Sequence, residues 1–422
     1  MSANRIKAVF RTNWPKMRGV LAYGLGPVLG LASGPLLARA MGPEGRGQFA
    51  AIMQPLTLAG AIASIGIPAA VTYFVAQEKF NTRSVLIRGL LISSIFAALA
   101  YGVLVVYSGQ LSSVQDIPQD FLLIIWLLVF VSAAIQIRRG YLQGNAKWKT
   151  LDLERFSFAL LRFFVVATLA VVGISSAETY AIGSLAAFVA AAVIVWWPSK
   201  PKQLKAAPKV PYLAMTGYSL SAAFGTIAVV ANNRLDQVLL PVMAPSQEVG
   251  FYAIAVTVAE VPIILGTLAA RDALYQSSRG QSSVQILKSS RLYLFGGTGI
   301  GLLLAALAPY YMAPVFGADF NGAVQSVQVL ALGTIFACFA LAFTAIIAGG
   351  GRPAVSSLIP LSGLVLTITL FMVFEAEMSS LTAAIIAAIS QIVSVIVGII
   401  LLGIFKVSSR KVATGDKQHS TV

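Results

Sequence analysis

Charge is what this chain has least of. Only 11% of its 422 residues are charged, under half of the roughly 25% usual in soluble domains. Too little polar surface remains to cover a water-soluble fold of this length, so that class is excluded. Cysteine occurs once, as Cys338 inside an apolar run, and histidine once, as His419 in the polar C-terminal tail. One cysteine excludes an intramolecular disulfide and a cysteine metal cluster. One tail histidine argues against a zinc site or a histidine proton relay. Nucleotide loops are missing too. The stretch G-L-G-P-V-L-G at 24–30 has the wrong glycine spacing and no strand before it, and G-G-G-R-P at 349–353 lacks the Lys-Ser/Thr of a phosphate loop. No metal and no cofactor is expected, and nothing points to direct ATP coupling. No extramembrane segment large enough for an active site holds paired carboxylates or a nucleophile with a base. No catalytic residue is identified, and the chain is read as a non-enzyme.

What the chain does have is long apolar runs. Hydrophobic residues make up 58% of it and the mean hydropathy is +0.84. A membrane-crossing helix needs roughly 20 mostly apolar residues. About twelve runs meet that length: 19–38, 49–76, 87–107, 121–137, 156–174, 179–197, 213–243, 250–270, 292–311, 325–348, 354–374 and 381–404. The predicted fold class is an all-α integral membrane protein. No cleavable signal peptide is expected, so the first span is read as retained.

The few charges are sorted by side. Net charge is +15. With the N-terminus in the cytoplasm, the inner gaps carry Arg83, Arg88, Arg138, Arg139, Lys147, Lys149, Arg271, Arg279, Lys288 and Arg352, and both termini are basic. The outer gaps carry Glu44, Asp116, Asp120, Glu178, Glu248, Asp319, Glu375 and Glu377, with only Arg39 and Arg46 as cations. That is the asymmetry of the positive-inside rule, which places both termini in the cytoplasm. It also explains the excess of basic residues without nucleic acid, for which no basic face with interleaved aromatics exists.

Five segments follow. Residues 1–18 form a basic amphipathic segment, either an interfacial helix on an anionic leaflet or a disordered tail. Residues 19–198 are expected to be a six-helix bundle. Residues 199–211 are a cytoplasmic linker, in a stretch from Pro198 to Pro211 with four prolines and four lysines that excludes a regular helix. Residues 212–405 are a second six-helix bundle, and 406–422 a basic cytoplasmic tail. The two halves carry similar turns at similar places. A-R-A-M-G-P-E-G-R-G-Q-F-A-A answers to L-P-V-M-A-P-S-Q-E-V-G-F-Y-A, and Y-L-Q-G-N-A-K to I-A-G-G-G-R-P. The pattern suggests a duplicated unit inserted the same way round twice.

Those stretches also carry a family resemblance. L-L-A-R-A-M-G-P-E-G-R-G-Q-F-A with the later I-G-I-P-A-A-V-T-Y-F-V-A resembles the opening of polysaccharide flippases. N-N-R-L-D-Q-V-L-L-P-V-M-A-P-S-Q-E-V-G-F-Y-A-I-A resembles the start of their second half, and Y-L-Q-G-N is similar to one of their turns. These flippases form the oligosaccharide branch of the multidrug/oligosaccharidyl-lipid/polysaccharide (MOP) exporter superfamily. The resemblance implies two six-helix bundles around a central cavity. It implies alternating access in a prokaryotic cytoplasmic membrane, with an undecaprenyl-diphosphate-linked oligosaccharide as cargo. Membrane lipids, a coupling H+ or Na+, and polysaccharide assembly proteins are the partners it implies.

Ionisable groups within spans are costly, so they usually face a cavity or a partner. The richest cluster is Asn232, Asn233, Arg234, Asp236 and Gln237 in the seventh run. On a regular helix Asn233, Asp236 and Gln237 share one face, while Arg234 and Asp236 point apart. Arg234 suits a diphosphate or an acidic sugar, because guanidinium stays charged and offers a planar fork. Asn233 and Gln237 are read as substrate contacts beside it. Asp236, and Glu260 in the next run, are the candidates for ion coupling. The competing reading of all of these is an interhelical polar bridge. Arg39 and Arg46 are candidate substrate contacts at the outer mouth, or ordinary contacts with lipid phosphate. Arg162 is expected to snorkel to cytoplasmic headgroups. Gly26, Gly30 and Gly34 are expected to be a packing stripe. The alternative function is a cation-coupled multidrug exporter of the same superfamily, which would expose cavity carboxylates. A membrane-embedded glycan polymerase would need a large polar outer loop that this chain lacks.

Overall fold

An apolar segment in lipid must satisfy its own backbone hydrogen bonds, and a helix does so within one stretch of chain. The computed structural model follows that rule. It describes residues 3–64, 66–197 and 207–415, with side chains at 26, 28–64, 66–197, 207–220, 223 and 227–404, and the described residues contain no strand. The linker up to residue 206, the last residues of the tail, and the side chains of 1–18 and 406–422 lie outside the described residues. The helices are α1 (Ala3–Ala63), α2 (Ile67–Ala76), α3 (Thr82–Gln115), α4 (Gln119–Trp126), α5 (Leu128–Gly144), α6 (Trp148–Val172), α7 (Ala177–Trp196) and α8 (Tyr212–Asn232). They continue as α9 (Leu235–Leu239), α10 (Ser246–Ser278), α11 (Ser283–Ser289), α12 (Arg291–Phe316), α13 (Val324–Gly349), α14 (Pro353–Ser356), α15 (Leu358–Val373) and α16 (Ser380–Gly415).

Among the described residues nine helices are long and apolar enough to cross a bilayer, or ten if the bent pair Val28–Ala63 and Ile67–Ala76 is one span. The expected count of twelve is therefore not reached by length and composition. The two remaining runs fall in the first part of α1 and in α8, where some side chains are outside the described set. Gly42 separates the first run from the second. It sits at φ 66° and ψ −177° inside α1, a conformation that a residue with Cβ rarely adopts. Large apolar side chains are exposed along the spans, such as Val106, Val171 and Leu213. In a bilayer that exposure is contact with lipid.

The chain divides into two compact units, Met1–Ala223 and Phe224–Val422, so the division falls inside α8. In the first unit α2, α3, α5 and α7 enclose Val71, Ile92, Ile135, Ile137, Leu142 and Val195. Two arginines expected in a loop are instead built into α5. Arg138 donates Nε–H to the Val195 carbonyl at 2.8 Å and lies over the Tyr141 and Trp196 rings. Arg139 forms a two-pronged pair with Glu154, at 2.5 and 3.1 Å. In the second unit Cys338 is buried between Ala269, Leu294 and Ala342.

The two units repeat the same turns. Between α5 and α6, Asn145 N bonds Tyr141 O, Ala146 N bonds Gln143 O and Lys147 N bonds Leu142 O, at 3.2, 3.0 and 2.9 Å. Between α13 and α14, Gly350 N bonds Ile346 O, Gly351 N bonds Ala348 O and Arg352 N bonds Ile347 O, at 3.1, 3.1 and 3.3 Å. The central residue of each has positive φ, 54° at Ala146 and 82° at Gly351. α7 and α16 start alike: Ser176 Oγ accepts from Thr179 N, and Ser379 Oγ accepts from Thr382 N. Each hydroxyl caps a helix N-terminus that would otherwise leave its N–H groups unpaired. Helix crossings repeat as well. A Cβ on Gly144 would lie 2.8 Å from the Thr72 carbonyl and from Val75, and one on Gly349 would lie 2.7 Å from the Leu274 carbonyl and 2.8 Å from Ser277. The glycine stripe expected in the first run behaves differently: a Cβ on Gly26 or Gly30 would meet no described atom within 4 Å.

Candidate functional site

The polar run after α8 does not continue the helix. α8 stops at Asn232, and Arg234 takes φ −136° and ψ −15° before α9 restarts at Leu235. Asparagine competes with a helix by bonding nearby backbone, which favours an end here. The regular helical face expected for Asn233, Asp236 and Gln237 is thus replaced by a break. Asn233 is exposed, Asp236 half-buried and Gln237 buried. The break brings Asn233 and Gln237 together, because Gln237 Nε2 donates to the Asn233 carbonyl at 3.4 Å.

It also frees Arg234 from the α8 axis. Arg234 Nη1 donates to Gln237 Oε1 at 3.4 Å and lies 3.3 Å from Glu260 Oε1 on α10. The pair is half open, with the side chains 35% and 46% exposed. Ion pairs of that exposure contribute about 0–1 kcal/mol, so another anion can exchange with the carboxylate. Arg234 and Asp236 do not pair. Asp236 instead accepts from the hydroxyl of Tyr252, on the first turns of α10. The break therefore gathers an exchangeable cation–carboxylate pair, a second carboxylate held by tyrosine, and an amide that accepts from the arginine.

Sequence reasoning missed Tyr252, whose role depends on α10 packing beside α9, a contact no spacing within one helix reveals. It also missed a polar seam next to the break. Asn232 Oδ1 is buried and has no hydrogen-bond partner among the described residues. A Cβ on Gly363 would stand 2.7 Å from it and 2.5 Å from Ser394 Oγ. Thr367 Oγ1 donates to Ser390 Oγ at 2.9 Å, and Ser394 Oγ to the Ser390 carbonyl at 3.0 Å. The seam ties the end of α8 to α15 and α16 through small polar groups.

The remaining two candidates belong to the first unit. Arg39 is exposed. Arg46 is only 8% exposed, 5.5 Å from the centre of the Phe49 ring, and its Nε has no hydrogen-bond partner among the described residues. Arg162, on α6, is partly buried. Its Nε is buried without a hydrogen-bond partner among the described residues. Among the described residues no group of three His, Cys, Asp or Glu side chains is placed to hold a metal.

The chain is similar to proteins of known fold along most of its length. The family model described as polysaccharide biosynthesis protein matches residues 19–275. A multidrug resistance MATE family transporter of the MOP superfamily, in an inward-facing conformation, superposes with a TM-score of 0.72 at 14% identity, covering 93% of this chain and 99% of the other. The lipid II flippase MurJ, in an inward closed conformation, gives 0.68 at 14% identity, covering 91% and 87%. A MOP superfamily transporter from Pyrococcus furiosus, described by a binding pocket of reverse polarity, gives 0.54 at 15% identity over 93% and 95%. No curated protein matches the sequence. At these identities the likeness carries the fold, and the family model, which spans more than half of the chain, carries the membership. The chain is a multi-pass membrane protein of the polysaccharide biosynthesis protein family, with the fold seen in transporters of the MOP superfamily.

Proposed function

We propose that this transporter flips an undecaprenyl-diphosphate-linked oligosaccharide from the inner to the outer leaflet of the cytoplasmic membrane, by alternating access and with ion coupling. The observation that carries the reading is the half-open Arg234–Glu260 pair. A guanidinium beside a helix break, held by one exchangeable carboxylate, suits a diphosphate: it stays charged and presents parallel N–H donors to phosphate oxygens. The diphosphate and Glu260 compete for the same N–H groups, so cargo binding releases Glu260. The released carboxylate, with Asp236 on its tyrosine, is the candidate carrier of H+ or Na+. Asn233 and Gln237 supply neutral donors and acceptors for sugar hydroxyls. Both termini lie in the cytoplasm, as the sorting of basic residues indicates, and surface-polysaccharide assembly proteins are the natural partners.

A second reading rests on the same residues. Two carboxylates about the helix break, Asp236 held by Tyr252 and Glu260 beside Arg234, are what a cation-coupled multidrug exporter would use, and the MATE fold fits the chain as well as the flippase fold. Arg234 beside Glu260 favours anionic cargo. The deciding experiment is a chromosomal deletion followed by analysis of surface polysaccharide and of radiolabelled lipid-linked sugars. Loss of surface polymer with accumulation of the inner-leaflet intermediate is expected. Normal polymer together with sensitivity to cationic dyes would replace the flippase reading with the exporter.

A further inference from the structure

At one helix crossing the first unit departs from its counterpart in the second. In the register of the Ala146 and Gly351 turns, Arg138 falls opposite Phe343. In the register of Ser176 and Ser379, Val195 falls opposite Gly398 and Trp196 opposite Ile399. The second unit closes this crossing with hydrocarbon. A Cβ on Gly398 would lie 2.7 Å from the Phe343 ring, and Phe343 is buried with Ala340, Ile347 and Ile359. The first unit puts a guanidinium there instead. Arg138 donates to the Val195 carbonyl and lies over the Tyr141 and Trp196 rings, 4.8 Å and 5.6 Å from their centres. A scaffold that closes this place with phenylalanine in one copy does not need a cation there in the other.

Beside the arginine the same two helices leave an apolar groove. It measures about 300 Å³ and lies between α5 and α7, lined by Val131, Ile135, Val189, Val193, Trp196 and Trp197 among others. Val189, Val193, Trp196 and Trp197 are 38%, 58%, 43% and 71% exposed, and within a span such exposure faces lipid. Trp196 is a wall of the groove and also the ring under the guanidinium. Arg138 stands three residues beyond Ile135, about one turn nearer the end of α5. Trp148, Trp196 and Trp197, three of the chain's five tryptophans, mark the same end of the spans. Tryptophan settles at headgroup level. With both termini in the cytoplasm, as proposed above, that level is the inner leaflet. The surrounding charge is basic. Arg139 is answered by Glu154, and Asp152, two residues earlier on α6, is buried with contacts of its own. Lys147 and Lys149, in the turn between α5 and α6, are exposed.

We propose that this groove is a site for one anionic phospholipid of the inner leaflet, with an acyl chain between α5 and α7 and the phosphate at the Arg138 end. The volume is at the lower end of the roughly 300–1,000 Å³ of small-ligand sites, which suits one chain. The walls suit hydrocarbon, and guanidinium matches phosphate oxygens with a planar fork. Lys147 and Lys149 add the attraction that basic residues exert on acidic headgroups. The carried lipid is the weaker candidate, because phospholipid is the solvent of that leaflet and fills a surface site by mass action.

The test reconstitutes the full chain in phosphatidylcholine vesicles. Brominated phosphatidylglycerol replaces a rising fraction of the lipid while tryptophan fluorescence is followed. Bromine quenches indoles at close range, so Trp196 and Trp197 report who occupies the groove. Quenching is expected to run ahead of the mole fraction, with about a fivefold preference over phosphatidylcholine, the contribution of one basic residue at an anionic surface. Arg138→Met brings the preference close to one, and Arg138→Lys keeps part of it. Val189→Phe fills the slot, removes no polar contact and also abolishes the preference, so it decides the matter if Arg138→Met does not fold. Quenching proportional to mole fraction in the unaltered protein overturns the anionic site. A preference that survives both Arg138→Met and Val189→Phe overturns its location. Undecaprenyl phosphate that displaces the brominated lipid at lower concentration than unbrominated phosphatidylglycerol does overturns the phospholipid assignment in favour of the carried lipid.

Discussion

The two units share turns, caps and helix crossings, yet only one carries the polar cluster. In the register of Pro43 and Pro245, the positions of Asn232, Asn233, Arg234, Asp236 and Gln237 are Gly30, Leu31, Ala32, Gly34 and Pro35 in the first unit. Those of Tyr252 and Glu260 are Ala50 and Leu58. The first unit builds the same hydrogen-bonded turn and the same glycine crossing without any of these polar groups. A scaffold that folds with glycine, alanine and leucine does not need an arginine and two carboxylates for its architecture. Polar groups inside a span are costly to insert, so their presence in one copy alone argues for a task rather than for packing.

The comparison breaks most sharply at Arg234. Replacing it with alanine, the residue at the matching place in the first unit, is expected to abolish transport while expression and insertion stay normal. A truncated charge contact of this kind costs about 2–5 kcal/mol, or at least about thirtyfold in apparent cargo affinity. Arg234→Lys rescues only part of it, because ammonium lacks the fork. Flux of the lipid-linked intermediate is the readout, and full flux in the alanine variant would remove Arg234 from the mechanism. Glu260→Gln and Asp236→Asn come next. Each is expected to lower flux by about tenfold, the loss of one charged contact, and to blunt its response to an imposed gradient. Vesicles with opposed proton and sodium gradients identify the ion. A variant that slows flux but keeps its full gradient response is structural.

Much of the scaffold was legible in the chain. Apolar length locates helices because lipid leaves the backbone no other way to satisfy itself, and the M-G-P-E and Y-L-Q-G-N stretches marked turns that recur in the second unit. The seventh run was misjudged in its conformation. Five polar residues in six read equally well as a helix face and as a helix end, and only tertiary packing chooses between them. Tyr252 and the Asn232–Gly363 approach were invisible for the same reason, since each joins residues from different helices.

The smaller predictions test whether the two units are equivalent as scaffolds. Gly144→Ala and Gly349→Ala each push a methyl group into a facing carbonyl, at 2.8 Å and 2.7 Å. Overpacking of that size costs about 1–3 kcal/mol, and both variants should lower the thermal midpoint of the purified protein by similar amounts. A large loss in one and none in the other would mean that the crossings are only superficially alike. The smallest effect comes from the matched turns. Ala146 and Gly351 occupy the same place, both with positive φ, where a Cβ costs about 1–2 kcal/mol against the following carbonyl. Ala146→Gly removes that strain but adds freedom to the unfolded chain, which returns roughly 0.5–1 kcal/mol. The net expectation is a gain of about 0.5–1 kcal/mol at Ala146 and a loss of about that size for Gly351→Ala. Opposite signs of shift in the two variants follow only if the two turns hold the same backbone. A loss in both would show that the Ala146 methyl makes contacts in the first unit that outweigh its strain, and the equivalence of the units would then stop at hydrogen bonding.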